Sequence, residues 1–166
     1  MSQFVSNYSS PLGGIVLAAD EEGLTGLWFE GQKYFGGGLS EEAQEGETES
    51  IRSAKRWLDV YFSGREPDFT PPLHLTGTLF RCAVWKRLME IPYGETTTYG
   101  EIAKELSAGG ETEKMSAQAV GGAVGHNPVS IIVPCHRVVG SRGQLTGYAG
   151  GLERKRSLLE LERRQR

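Results

Sequence analysis

Apolar and polar positions in the first part of the chain predict a hairpin followed by a helix. Two short apolar runs, 14–18 and 24–29, flank the polar turn residues 20–23, an order typical of paired strands. From Ser50 the apolar positions recur at helical spacing, and Gly64 is placed to end that helix. We therefore expect a helix that covers one face of the hairpin.

Two irregular segments divide the chain. Segment 36–49 is acidic and rich in glycine, which predicts a mobile loop. Segment 65–75 holds three prolines, which cannot continue a helix or a central strand. We interpret it as a linker that closes an N-terminal domain, 1–75, and precedes a second domain, 76–166.

The second domain has the pattern of a helical unit. Thr78 can cap a helix that runs to about Glu90, and Thr98 with Glu101 has the spacing of a capping box at the start of the next helix. A turn rich in glycine and glutamate follows. Segment 116–124 predicts a third helix of small residues, whose backbone can approach a partner closely. Helices joined in this way occur in nucleic-acid readers, and also as plain core packing.

Composition indicates a globular protein. The hydrophobic fraction is 38% and the mean hydropathy is -0.36. No apolar run approaches the roughly 20 residues that span a bilayer, so we expect no membrane segment. Segment 1–10 lacks the charged-then-apolar order of a secretory signal, which predicts a cytoplasmic protein with reduced thiols. Two cysteines and three scattered histidines give neither a disulfide framework nor a metal-ligand spacing.

The net charge of -3 hides an asymmetry between the two halves. Residues 1–77 carry 12 acidic and 5 basic side chains, a charge of -7, whereas residues 78–166 carry 9 acidic and 13 basic ones, a charge of +4. Any surface that faces phosphates therefore belongs to the second half. The excess is modest, so we expect binding to nucleic acid that salt weakens strongly.

A candidate nucleophile follows an apolar run in the second domain. Residues 129–133 are dominated by β-branched side chains and are followed by a proline, a pattern that predicts a buried strand with Cys135 just beyond its tip. His136 is the next residue. Neighbours on a strand point to opposite faces, so contact between the thiol and the imidazole requires a bridging water or a sharp turn.

A third polar residue can complete a relay. The final helix, predicted over 152–164, could bring Glu162 to the other ring nitrogen of His136 and hold its tautomer. Residue types alone leave other interpretations open. A lone cysteine is often a buried thiol, a histidine is often a satisfied core residue, and Glu162 among arginines is typical of a solvated helix face.

The residues around Cys135 resemble a known family signature. Segment 127–139 reads NPVSIIVPCHRVV and segment 147–151 reads GYAGG, which together are similar to the active site of the O6-alkylguanine-DNA alkyltransferases. Further segments in the family's order are 91–94 (IPYG), 98–99 (TY), 119–123 (AVGGA) and 155–162 (KRSLLELE). The resemblance covers about residues 77–162.

The resemblance implies an α+β fold and a DNA repair activity. The expected architecture is a small N-terminal domain of ribonuclease-H-like form and a mainly helical C-terminal domain with a winged-helix-like helix-turn-helix. In this family that motif enters the minor groove of double-stranded DNA, and the alkylated guanine is flipped into a pocket. The alkyl group passes to a cysteine, which is consumed in a single turnover.

Residue by residue, the resemblance assigns catalytic roles. Cys135 resembles the alkyl acceptor, His136 the base that acts through water, and Glu162 its orienter. Asn127 resembles the support of the active-site turn. Tyr99 resembles the tyrosine that helps to rotate the nucleotide and donates a proton toward guanine O6.

The resemblance also implies substrate and DNA contacts. The expected pocket wall comprises Val138, Tyr148 and Ala149, and the expected DNA-facing residues are Tyr99, Gln118, Ala119 and Gly121. Two positions depart from the family pattern. Gln118 stands where the family commonly has an intercalating arginine, and Ala149 stands where some members carry serine. Because Gln118 adds no positive charge, we expect intact chemistry with weaker or more salt-sensitive DNA binding, whereas Ala149 puts in doubt one hydrogen bond of the pocket.

The remaining expectations concern cofactors, partners and rival functions. The family resemblance implies no cofactor, and the residues that bind zinc in some members' N-terminal domains are absent from this sequence. We expect a monomer with no obligate protein partner. The main alternative is a thiol hydrolase that uses Cys135, His136 and Glu162, and such an enzyme would turn over repeatedly. A non-catalytic alkyl-lesion sensor is disfavoured by Cys135, and a transcription regulator by the lack of an evident dimerisation helix.

Overall fold

The structure, a computed structural model, describes residues 2–108 and 116–164. In chain order, its elements are β1 (Phe4–Ser10), β2 (Gly13–Ala19), β3 (Leu24–Phe29), β4 (Gln44–Glu45), α1 (Glu49–Phe62), α2 (Leu79–Leu88), β5 (Thr97–Thr98), α3 (Tyr99–Ala108), α4 (Ala117–Gly125), the 3-10 helix Cys135–Arg137, β6 (Val138–Val139) and α5 (Leu152–Arg163). The glycine- and glutamate-rich turn expected before α4 falls in 109–115, outside the described residues. Within the described ranges, no helix has the length and apolar character needed to cross a membrane.

The predicted hairpin is confirmed as the centre of an N-terminal sheet. Strands β2 and β3 pair antiparallel, with Ile15 opposite Phe29 and Leu17 opposite Leu27, and these four side chains are fully buried. The strand order is β3-β2-β1-β4, with β4 parallel to β1. The sequence did not predict β1, because its residues are mostly polar and it is only partly buried. The segment expected to be a loop contains the two-residue strand β4.

Helix α1 covers the sheet, as the helical spacing predicted. Its buried side chains include Ile51, Leu58 and Tyr61, and it contacts β1, β2 and β3. The Thr48 hydroxyl accepts a hydrogen bond from the Ile51 backbone N–H at 3.1 Å, which caps the first turn. The helix ends before Gly64, whose φ of 91° suits glycine.

The C-terminal helices begin at the predicted caps. The Thr78 hydroxyl accepts from the backbone of Arg81, and the Thr98 hydroxyl accepts from the backbone of Glu101, each at 3.1 Å. Helix α2 ends at Leu88, two residues before the predicted end. The Trp85 indole N–H donates to the carbonyl of Ala123 at 2.8 Å and so links α2 to α4.

The predicted strand at 129–133 is wrong, although its burial is correct. Apart from a single bridge between Val129 and Leu27, the segment forms turns, and Ile131 has a φ of 70°. The reason is local hydrogen bonding. The side chain of Asn127 accepts from the N–H of Val129 and donates to the carbonyl of Val133, which curls the segment instead of leaving it extended.

The linker and the active-site turn both bind to β3. The N–H of Leu24 donates to the carbonyl of Pro72, and the N–H of His74 donates to the carbonyl of Leu24, each at 2.8 Å. Further along the strand, Leu27 donates to Pro128 and accepts from Ser130. One hydrophobic core therefore runs through both units, and the α+β organisation predicted from the sequence is confirmed.

Candidate active site

A cavity of about 710 Å³ lies between the N-terminal end of α3, helix α4 and the loop before α5. The predicted site residues that line it are Tyr99, Gln118, Gly121, Asn127, Cys135, Tyr148 and Ala149. The N-terminal unit contributes Lys33 and Tyr34 to the same wall. The structure thus brings together residues that are more than 100 positions apart in the chain.

Cys135 lies at the start of the 3-10 helix rather than at the tip of a strand. Its side chain is buried and is a free thiol. Burial raises the pKa of this thiol, while the Asn127 amide and the Lys155 ammonium partly oppose the rise. At neutral pH the thiol is therefore protonated and needs a proton acceptor before the sulfur can react.

His136 is held by Glu162 through one ring nitrogen. Its Nε2 lies 2.6 Å from Glu162 Oε2, and both side chains are 0% exposed. Burial lowers the pKa of His136, although Glu162 favours the charged form, so the resting ring is neutral and its Nε2–H donates to the carboxylate. Among the described residues, Nδ1 has no hydrogen-bond partner. This nitrogen is therefore a basic lone pair, ready to accept a proton.

Glu162 accepts hydrogen bonds from several elements at once. Oε1 accepts from Arg137 Nε at 2.8 Å and from the backbone N–H of Gly94 at 3.1 Å. Oε2 accepts from His136, from the Tyr61 hydroxyl at 2.7 Å and from Arg137 Nη2 at 3.1 Å. The solvated-face interpretation of Glu162 is therefore wrong.

The charge of Glu162 is compensated inside the protein. Burial acts to raise the pKa of Glu162, but the hydrogen bonds and charges of His136 and Arg137 outweigh it and hold this pKa well below its usual range. Arg137 also donates to the carbonyl of Ile91 at 2.7 Å. The ionised Glu162 and the neutral His136 thus have the hydrogen-bonded arrangement that the predicted relay requires of these two residues, and their catalytic roles stay a prediction.

The opposite wall of the cavity is held by a buried lysine. Lys155 Nζ donates to the carbonyls of Thr146 at 2.8 Å and Gly147 at 3.2 Å, and the Tyr99 hydroxyl donates to the same Thr146 carbonyl at 3.2 Å. Lys155 is fully buried, and this burial lowers its pKa to about 8. Burial also raises the pKa of Tyr99, so its hydroxyl stays protonated at neutral pH.

Helix α4 presents a face of small side chains at the mouth of the cavity. Ala119 and Gly122 are exposed, and Gln118 is exposed while also lining the cavity. A Cβ at Gly121 would lie 3.8 Å from the Tyr99 ring, so the helix approaches that tyrosine closely. Apart from Gln118, the exposed side chains of this face are small, so its backbone can come close to a partner.

The family models match both parts of the chain. Residues 79–164 match the model described as 6-O-methylguanine DNA methyltransferase, DNA binding domain, and residues 4–75 match the model described as 6-O-methylguanine DNA methyltransferase, ribonuclease-like domain. The chain belongs to the 6-O-methylguanine DNA methyltransferase family. This confirms the resemblance drawn from the signature around Cys135, and with it the fold class.

Similar proteins extend over nearly the whole of this methyltransferase-family chain. A methylated-DNA–protein-cysteine methyltransferase of Mycolicibacterium paratuberculosis is 47% identical over 93% of this chain and 89% of its own length. One from Methanosarcina acetivorans is 47% identical over 93% of this chain and 95% of its own length. The crystal structure of Mycobacterium tuberculosis OGT in complex with DNA has a TM-score of 0.85 and 42% identity, and covers 99% of this chain and 94% of that chain.

The structure places one predicted site residue away from the cavity and adds three that the sequence did not predict. Val138 is fully buried in β6, opposite Thr97, and is not among the residues that line the cavity. Arg137, Lys155 and Tyr61 were not predicted as site residues. Arg137 had one available signal, its position directly after His136. Tyr61 had none, since it lies 101 residues from Glu162.

Proposed function

We propose that this protein repairs O6-alkylguanine in double-stranded DNA by moving the alkyl group onto the sulfur of Cys135, once per molecule. The observation that carries the proposal is a free thiol in a cavity of about 710 Å³, followed directly by a buried histidine that a glutamate orients. The similar Mycobacterium tuberculosis protein was solved in complex with DNA, which supports DNA as the partner here.

Activation of the thiol cannot supply the whole rate enhancement. A thiol of pKa about 8.5 is roughly 3% ionised at pH 7, so full ionisation raises the reactive fraction about thirtyfold, near 2 kcal/mol. Burial makes the thiolate of Cys135 scarcer still. Placing the alkyl carbon in line with the sulfur, and protonating the departing guanine, must therefore contribute more.

The transfer forms one bond and breaks one. The thiol proton passes to His136 Nδ1, directly or through water, and the imidazolium is held by Glu162. The sulfur then bonds to the alkyl carbon while the bond from that carbon to guanine O6 breaks, and the electron pair stays on the guanine. Tyr99 donates the proton that the guanine takes up, and proton transfer from His136 through water can restore it. The thioether at Cys135 has no good leaving group, so the protein is consumed, and the substrate itself carries the transferred group, so no cofactor takes part.

The DNA contact is proposed for the helix-turn-helix of the second unit, 76–166, with the first unit, 1–75, as its support. Helix α4 offers small exposed side chains to the minor groove, where the base pattern is degenerate and lesions can be met in any sequence. The extruded guanine would enter the cavity beside Tyr99, with Gln118 near the vacated stack. A monomer without an obligate protein partner, in the cytoplasm, stays a prediction.

Intact mass spectrometry tests the proposal directly. After mixing with an excess of duplex that contains O6-methylguanine, the protein should gain the mass of one methylene and no more. The gain should disappear in Cys135→Ala and persist in Cys82→Ala, which removes the other cysteine as a matched control. Repair should stop when the amount of restored guanine equals the amount of protein.

Two results would overturn it. Restoration of more guanines than there are protein molecules, with an unmodified Cys135, would favour a thiol hydrolase or another catalytic cycle. Tight binding to the alkylated duplex with no mass change in the wild type would favour a lesion sensor.

A further inference from the structure

The N-terminal unit contacts the proton relay through the side chain of Tyr61. Tyr61 lies in the last turn of α1 and is fully buried, and its hydroxyl donates to Glu162 Oε2 at 2.7 Å. Burial raises the pKa of Tyr61 well above its ordinary value, so the hydroxyl is a neutral donor at neutral pH. Its ring stacks on Trp57 with centroids 5.1 Å apart, which fixes the direction of the hydroxyl.

The oxygen that Tyr61 contacts is the one that holds His136. Both donors lie within 2.7 Å of Oε2, and Arg137 Nη2 adds a weaker contact at 3.1 Å. Each donor withdraws negative charge from this oxygen, so the tyrosine hydroxyl and the imidazole N–H compete for the same lone-pair density. The strength of the contact between His136 and Glu162 therefore depends on Tyr61.

We propose that Tyr61 is a positioning residue for the transfer: its hydroxyl fixes Glu162 and partly neutralises Oε2, and so sets how readily His136 takes the proton of Cys135. This inference rests on the proposed alkyl transfer. It also gives the N-terminal unit a defined part in the chemistry, because α1 supplies the donor.

The sign of the effect follows from the charged groups around His136. Glu162 favours the imidazolium, whereas burial and the positive charges of Arg137 and Lys155 disfavour it. Cys135, whose thiol can also titrate, directly precedes His136 in the chain. Tyr93 and Tyr148 face this carboxylate as neutral phenols whose pKa values are raised, by burial first. Removal of the Tyr61 hydroxyl leaves Oε2 more negative, which strengthens its bond to the imidazolium and makes His136 a stronger base.

The decisive experiment is a pH profile of the single-turnover rate for the wild type and Tyr61→Phe. In Tyr61→Phe the acid limb should move to higher pH by about half a unit to one unit, because His136 is protonated earlier. The rate on the plateau should stay within about threefold of the wild type, since base, thiol and cavity are unchanged. Nuclear magnetic resonance titration of the His136 ring in DNA-free protein should show the same upward shift.

Two controls separate this role from packing. Trp57→Phe disturbs the ring stack but keeps the Tyr61 hydroxyl, and Tyr8→Phe removes a different tyrosine–carboxylate hydrogen bond, the exposed one from Tyr8 to Asp59. Both should change the thermal unfolding temperature without moving the acid limb. Site-specific 3-fluorotyrosine at position 61 keeps the fold and makes the hydroxyl a stronger donor, so it should move the acid limb to lower pH, opposite to phenylalanine.

The outcomes distinguish this inference from the proposed function. If the wild type transfers one alkyl group per molecule but its profile superimposes on that of Tyr61→Phe and of the fluorinated protein, Tyr61 is only structural. A shift of the same size in Trp57→Phe would lead to the same conclusion. If the wild type shows no transfer at all, the proposed function fails, and the ring titration still reports whether Tyr61 controls His136. If Tyr61→Phe does not fold, the fluorinated protein alone decides the question.

Discussion

Replacing Asn127 by alanine removes the amide that curls the turn before Cys135. The buried N–H of Val129 then loses its hydrogen-bond partner, and the carbonyl of Val133 keeps only the bond from the N–H of Cys135 at 2.8 Å. The orphaned N–H costs about 1–3 kcal/mol and the second bond lost at Val133 about 1 kcal/mol, so the substitution predicts a loss of about 3 kcal/mol in the free energy of unfolding. This loss is a large part of the roughly 5–15 kcal/mol that stabilises a domain.

The same substitution should slow the reaction. The Asn127 amide opposes the rise that burial imposes on the pKa of Cys135, so its removal leaves less thiolate at neutral pH. The turn that carries the sulfur also loses its anchor, and a displaced nucleophile costs on the order of 10-fold or more in rate. We expect a slower single-turnover transfer to methylated duplex, with the same final stoichiometry of one group per molecule.

Urea denaturation followed by tryptophan fluorescence measures the first effect, and quenched-flow transfer measures the second. Asn7→Ala is the matched control, because Asn7 is the other asparagine of the chain and is exposed on β1. An Asn127→Ala protein that is no less stable than Asn7→Ala, and as fast as the wild type, would refute the role assigned to the amide.

Four further predictions concern charged and polar residues of the site. The pKa values of His136 and Glu162 are both lowered on folding, so the stability that they contribute is present above the unfolded values, about 6.5 and 4.3, and is lost as the pH falls. Urea titrations should therefore show a decline that begins below about pH 6.5, and Glu162→Gln, which leaves the buried charge of Arg137 unpaired, should lower the stability at pH 7 by about 3–5 kcal/mol. Lys155→Met removes the donor to the Thr146 and Gly147 carbonyls and should slow transfer on the order of 10-fold in the quenched-flow assay. An unchanged rate would show that the loop before α5 keeps its conformation without the lysine. Gln118→Arg should tighten binding to duplex and steepen its salt dependence in fluorescence anisotropy titrations, and no gain in affinity would contradict the expectation drawn from this position.

Elements whose signals are local were predicted well. Helix starts at Thr78, Thr98 and Ser116 follow from a side-chain oxygen that accepts from the backbone N–H three residues later, a pattern visible in the sequence. The hairpin of β2 and β3 follows from two apolar runs around turn residues. The polar strand β1 was missed because its pairing with β2 is decided by the neighbouring strand and not by its own residues.

The error at 129–133 has a physical cause. A run of buried, β-branched residues is typical of a central strand, but burial can also be reached by a turn enclosed in the core. Here the neighbouring Asn127 satisfies the backbone groups that a strand partner would otherwise satisfy. The sequence shows that an asparagine amide can both donate and accept hydrogen bonds, but it does not show which backbone groups Asn127 binds.

The sequence of helix α5 contains a pattern that could have predicted buried partners for Lys155 and Glu162. Lys155, Leu158, Leu159 and Glu162 lie at the spacing of a single helix face, and all four are buried. Two charged residues on a core-facing stripe are costly unless they are paired, so the pattern itself points to buried partners for both. In the structure these partners are loop carbonyls for Lys155, and His136 and Arg137 for Glu162.

Several contacts that hold the site come from the N-terminal unit, 1–75, which contains none of the signature residues around Cys135. The backbone of Leu27 in β3 donates to the carbonyl of Pro128 and accepts from the N–H of Ser130. The backbone of Lys33 donates to the carbonyl of Ala149, and the Tyr61 hydroxyl donates to Glu162. Each of these contacts joins residues about 100 positions apart, which no periodicity or short motif can report. Because the turn carrying Cys135 depends on β3 and the carboxylate that binds His136 depends on α1, loosening the N-terminal sheet should slow the transfer reaction before it unfolds helices α3 and α4.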